Sequence, residues 1–145
     1  MTIDDEHCVK ILSVSPAAQD HTRLGHILGH TSWRLFPARN IAGAVDAVQR
    51  LRIPVVVTSA ELPDGDWRNL LGQLQSLPEP PQVIVMTSGM DDRLWSEVVQ
   101  SGAYDVIPKP LAKADVFRIV RLAWRQWHDH WIGQAPVRTV SKASA

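Results

Sequence analysis

Residues 55–67 read Val55-Val56-Val57-Thr58-Ser59-Ala60-Glu61-Leu62-Pro63-Asp64-Gly65-Asp66-Trp67. The run 55–58 is nearly continuous apolar, the pattern of a strand covered on both faces. Asp64 and Gly65 mark a turn. Asp66 then stands as an N-cap before Trp67, Leu70, Leu71 and Leu74, which recur at helical spacing, and Pro78 stops that helix. A buried strand, a short loop and an amphipathic helix form half of a βαβ unit, which predicts a parallel sheet.

The same alternation extends in both directions. Short apolar runs at residues 9–14, 32–36, 83–87 and 104–107 predict four more strands. Helical periodicity follows each: Leu24, Ile27 and Leu28; Ile41, Ala44, Val45, Val48 and Leu51 behind the cap Asn40; Leu94, Trp95, Val98 and Val99 behind Asp91 and Asp92; Val116, Ile119, Val120, Ala123 and Trp127. Ser15-Pro16-Ala17-Ala18 reads as a helix start, with serine as the cap and proline at the first position. Five strands alternating with five helices imply an α/β doubly wound domain with right-handed crossovers. Its functional crevice belongs at the carboxyl ends of the strands, in the loops beginning at Ser15, Ser59 and Thr87 and at Lys109. Residues 8–131 form the expected domain, residues 1–7 a flexible N-terminus and residues 132–145 a disordered tail.

Composition narrows the function. The chain has 145 residues, 45% of them hydrophobic, enough for one core. Fifteen basic residues balance fifteen acidic ones, which argues against nucleic-acid binding through a basic face and against a polybasic membrane anchor. No apolar run reaches the roughly 20 residues of a spanning helix, and the polar start MTIDDEHC is not a secretory signal. The expected location is cytoplasmic. The single cysteine, Cys8, can form neither an internal disulfide nor a cysteine-rich zinc site.

Three segments resemble two-component response-regulator receiver domains of the CheY-like family: VVVTSAELPDGDW at the third strand, VIVMTSG at the fourth and SGAYDVIPKPL at the fifth. The resemblance runs from about residue 8 to residue 128. It implies a flavodoxin-like (βα)5 sandwich with sheet order 2-1-3-4-5. It also implies a phosphoacceptor aspartate ending strand three, an acidic pair after strand one that helps hold magnesium, a hydroxyl after strand four, a lysine before proline and an aromatic switch residue. These positions fall on Ser59, on Ser15 and Pro16, on Thr87, on Lys109 and on Val106.

Only Thr87 and Lys109 keep the family's chemistry. Magnesium binds hard oxygen ligands, usually with carboxylates, and Ser15, Pro16 and Ser59 supply none. A serine hydroxyl is a weak nucleophile without an adjacent base. The chain is therefore expected to be a degenerate receiver, not an enzyme, with no cofactor and no metal. With the carboxylates gone, Lys109 becomes the one charge among these positions. The Ser59/Thr87/Lys109 pocket then becomes an alternative small-anion or metabolite site, unless Lys109 pairs with Glu61 or Asp64. A cryptic serine phosphoacceptor at Ser59 is a further rival.

His26 and His30, four apart, and His128-Asp129-His130 lack a third metal ligand and read as solvated. The last predicted helix carries more. Its core stripe spans an arc of about 100°, and Phe117, Trp124 and Trp131 extend it by roughly 60° beside Arg121 and Arg125. Aromatics and arginine dominate interface hot spots. The resemblance implies docking through helix four, strand five and helix five, so Trp95 and Tyr104 are expected to extend the strip. The reading is a stand-alone receiver acting by phosphorylation-independent protein–protein contact with a histidine kinase, another regulator or itself, as a homodimer.

Overall fold

The structure is a computed structural model that describes residues 9–29, 31–89 and 92–131. The segments expected to be flexible or disordered, 1–7 and 132–145, lie outside those residues, as do Cys8, His30 and Asp91.

Five parallel strands form one sheet: β1 (Lys10–Val14), β2 (Arg34–Ala38), β3 (Val55–Ser59), β4 (Gln82–Thr87) and β5 (Asp105–Pro108). Their order is β2-β1-β3-β4-β5, as the resemblance implied. Five helices connect or follow them: α1 (Ala18–Leu28), α2 (Ile41–Leu51), α3 (Trp67–Gln75), α4 (Asp92–Gln100) and α5 (Lys113–Trp131). No helix among the described residues is long and apolar enough to cross a membrane.

The central strands bury both faces, which is why their sequences do not alternate. Leu12, Val14, Val56, Val83 and Val85 pack with α2, α3 and Val98 of α4. Val55, Val57, Ile84 and Met86 pack on the opposite side with α1 and α5. Val116, Ile119, Val120, Ala123 and Trp127 form the buried stripe of α5, as their spacing predicted.

Local signals hold at two helix starts. Asn40 Oδ1 accepts from Gly43 N at 2.8 Å. Asp66 caps α3 in a reciprocal box with Asn69. Between β3 and α3, Glu61–Leu62 and Gly65–Asp66 pair as a two-residue hairpin. Gly65 sits at φ 151°, and a Cβ there would meet Asn69 Oδ1 at 2.6 Å and Ile41 Cδ1 at 2.8 Å, so this turn requires glycine.

Three local expectations are corrected. Strand β2 lies two residues later than the 32–36 run, because Ser32 bends the chain and Pro37 and Ala38 continue the register with β1. Helix α1 begins at Ala18, with Ala17 at its cap position and no side-chain cap. Ser15 is instead buried, its Oγ accepting from Ala17 N at 3.0 Å in a tight turn. On α4 only Val98 is buried; Trp95 is 48% exposed and Val99 37%.

Candidate functional site

The carboxyl ends of β1, β3, β4 and β5 converge on one edge of the sheet, bringing the loops after them together. Ser59 ends β3 and pairs in register with Met86 of β4. Thr87 ends β4 and is buried; its hydroxyl accepts from Gly89 N at 3.3 Å. Lys109 N donates to Thr87 O at 2.8 Å, tying the loop after β5 to β4. Ser15 follows β1, and its amide donates to Ala38 O at 3.0 Å. Pro16 beside it is exposed, and Val106 is buried in the α2/α3/α4 layer. The hydroxyl of Ser59 has no hydrogen-bond partner among the described residues.

The charge of this site is set by a residue whose role the sequence reading missed. Asp20, in the first turn of α1, is buried and turns its carboxylate inward. Its Oδ2 accepts from Ser15 Oγ at 2.6 Å and from Lys109 Nζ at 3.0 Å. The carboxylate side chain is 9% exposed and the lysine 28%. Lys109 thus pairs across the fold with α1, and not with Glu61 or Asp64. This corrects the view that the pocket turns net positive: an acid from α1 balances the lysine. The signal was present in the spacing, since Asp20 occupies the same helical face as Leu24, Ile27 and Leu28. A carboxylate in a buried stripe needs a partner.

A second polar chain lies beneath. Ser13, wholly buried in β1, bonds His21 Nδ1 at 2.7 Å, and His21 Nε2 lies 2.9 Å from Ser15 O. A carbonyl only accepts, so Nε2 donates its proton there and, in the neutral ring, Nδ1 accepts from the Ser13 hydroxyl. Together Ser13, His21, Ser15, Asp20 and Lys109 stitch β1 and α1 to the end of β5. A cleft of about 730 Å³ opens beside the pair, with Gln19, Arg23, His26 and Ser88 on its walls.

The sequence that folds on this sheet order matches a known family. The response regulator receiver domain matches residues 17–121. The chain belongs to that family. The transcriptional regulatory protein DpiA of Escherichia coli strain K12 is 31% identical over 99 residues, covering 68% of this chain and 43% of DpiA. The chain therefore spans less than half the length of that relative. The receiver domain of a putative Luxo repressor protein from Vibrio parahaemolyticus superposes with a TM-score of 0.81 at 17% identity, covering 88% of this chain and 98% of that one. A chain of the CheX–CheY–BeF3–Mg complex of Borrelia burgdorferi gives 0.71 at 21% identity, covering 77% of this chain and 86% of that one.

The receiver's aromatic strip is divided by the fold. Phe117 stacks against Trp33, ring centroids 5.7 Å apart, just before β2. Trp124 lines the same groove as Trp33. Tyr104 precedes β5, at the opposite edge of the sheet. Phe117 and Trp124 therefore face the β2 edge, away from Tyr104 at the β5 edge and from Trp95 on α4. Leu122 lies on the other flank of α5 by helical rotation and is 44% exposed. Trp131, half-buried, has its ring 4.5 Å from that of His130. His26 is exposed, and among the described residues no three His, Cys, Asp or Glu side chains converge on a metal position.

Proposed function

We propose that this receiver domain signals by protein–protein contact without accepting a phosphoryl group on a carboxylate. The observation that carries the reading is that β3 ends in Ser59 while the lysine is held by Asp20 of α1. A phosphoryl transfer of the family's type needs a carboxylate nucleophile and a metal that bridges it to an acidic pair. The corresponding positions are Ser59, Ser15 and Pro16, none of which ionises at neutral pH. Asp20 stands on α1 and not at the end of β3, and its Oδ2 takes a hydroxyl and an ammonium. Val106, buried and aliphatic, has no ring to report a modification.

The contact surface is the flank made by α4, β5 and α5. Trp95, Val99 and Leu122 are the exposed large hydrophobics of the described residues, and two belong to α4 and one to the outer flank of α5. Exposed apolar groups gathered on one side fit a protein partner. The Borrelia CheY was solved in complex with another protein, CheX, which supports a protein as the class of partner.

The test is incubation with acetyl phosphate and Mg²⁺, read by intact mass. No mass gain is expected. A one-phosphoryl gain labile to hydroxylamine would overturn the reading, and an acid-stable gain at Ser59 would assign a serine phosphoacceptor instead.

A further inference from the structure

A groove of about 600 Å³ runs between α5 and the loop before β2, away from the site at the strand ends. Val9, Trp33, Phe117 and Trp124 line it, together with Arg121 and Arg125. Both arginines are exposed, and neither makes a hydrogen bond or ion pair among the described residues. The other charged groups nearby are few. Asp129 leans to His128 at 3.9 Å, His128 stacks on Trp124, and the Lys113 ammonium lies over Phe117 at 5.9 Å. Cations therefore exceed carboxylates along an apolar slot, the complement of an acidic segment with an apolar anchor.

We propose that the groove is the seat of this chain's own segment Ile3-Asp4-Asp5-Glu6. Two observations select it over other occupants. Its sequence is an aliphatic residue followed by three consecutive acids. It is also tethered at the groove itself, because Val9 is both a wall residue and the start of the described chain. The six residues from Val9 back to Ile3 reach about 20 Å when extended. The stretch of α5 from Phe117 to His128 is about 16 Å long at the helical rise. Ile3 would enter the slot between Trp33 and Trp124, and Asp4, Asp5 and Glu6 would meet Arg121 and Arg125. A tether this short gives an effective concentration on the order of millimolar, so weak contacts suffice to seat it. The inference is independent of whether the receiver accepts phosphate.

The experiment is ¹⁵N NMR of the full chain, following the indole N–H resonances of Trp33 and Trp124, assigned with Trp→Phe variants. Three charge variants are compared with wild type: Asp4→Lys/Asp5→Lys/Glu6→Lys, Arg121→Glu/Arg125→Glu, and the two sets combined. Each set alone should move both indoles and the amides of residues 31–33 and 121–129, and the combined swap should return them toward wild type. Salt at 0.5 M should reproduce the first variant, since exposed pairs are screened. Unchanged amides in β3 and β4 show that each variant is folded. Indoles indifferent to reversal of the acidic segment would overturn the proposal. So would wild-type indole shifts that depend on protein concentration, which would give the groove to a second copy. An arginine effect that the combined swap leaves unrestored would assign it to another acidic partner.

Discussion

A carboxylate that accepts from a hydroxyl at 2.6 Å and from an ammonium at 3.0 Å, with most of both charged side chains out of water, couples three segments distant in the chain. Removing one member leaves the other short of a partner. Asp20→Ala should destabilise the domain by about 1–3 kcal/mol in urea titrations. A cycle with Lys109→Ala should return a coupling of about 0.5–3 kcal/mol, because the residues touch. Additive single effects would show that Lys109 is already solvated. The same contact decides what a restored acid would do. Ser15→Asp would place a second carboxylate against Asp20, and like charges at that distance disfavour double ionisation. The variant should melt lower than wild type without divalent cation and recover with Mg²⁺, while the wild-type Tm should not respond. A thermal-shift series with and without Mg²⁺ checks both.

At the scale of elements, the N-terminus of α2 is capped twice, once from its own sequence and once from afar. Asn40 serves Gly43, and Asp64 in the hairpin turn accepts from Ile41 N at 2.9 Å and from Ala42 N at 3.3 Å. Asn40→Ala should cost about 1 kcal/mol. The Asp64 carboxyl is held below its ordinary value chiefly by the Ile41 N–H. A lowered folded-state value stabilises the fold above the unfolded range and is lost as pH falls through the folded value. Wild type should thus lose stability on acidification below about pH 4 more steeply than Asp64→Asn. Equal acid limbs in urea midpoints would show that the exposed carboxylate is screened out. Helix α4 makes the opposite point. Its spacing suggested a buried stripe of four, yet only Val98 is buried, because one short helix at the β5 side of the layer meets few neighbours.

For the whole molecule, the apolar surface is split between two flanks of α5. Trp33, Phe117 and Trp124 line a groove on the β2 side, while Trp95, Val99 and Leu122 are exposed on the β5 side. If the open flank is the contact surface, Trp95→Ser with Leu122→Ser should leave stability within about 0.5 kcal/mol per site while weakening self-association or partner capture. Trp127→Ala, by contrast, empties a buried position and should cost about 3–5 kcal/mol. Sedimentation and urea titration of the two variants separate surface from core. A double variant that associates as wild type does would remove this flank from the reading.

The strands and helices to within a few residues, two of the helix caps and membership of the receiver family are legible in the sequence. Apolar periodicity and turn chemistry act over a few residues, and the motifs around Ser59, Thr87 and Lys109 are contiguous in the chain. It also displayed the missing carboxylates at Ser15, Pro16 and Ser59, since those are identities. Pairing between distant segments is not legible there. Asp20 and Lys109 stand 89 positions apart, and nothing in either neighbourhood specifies the other. The same holds for Asp64 at the start of α2 and for Phe117 on Trp33. The residues of the strip on α5 share a spacing, which predicts one surface. Which sheet edge each flank meets depends on the strand order that β2 and β5 adopt at opposite ends. Charge balance and surface continuity are properties of distances between segments, and those exist only once the chain has folded.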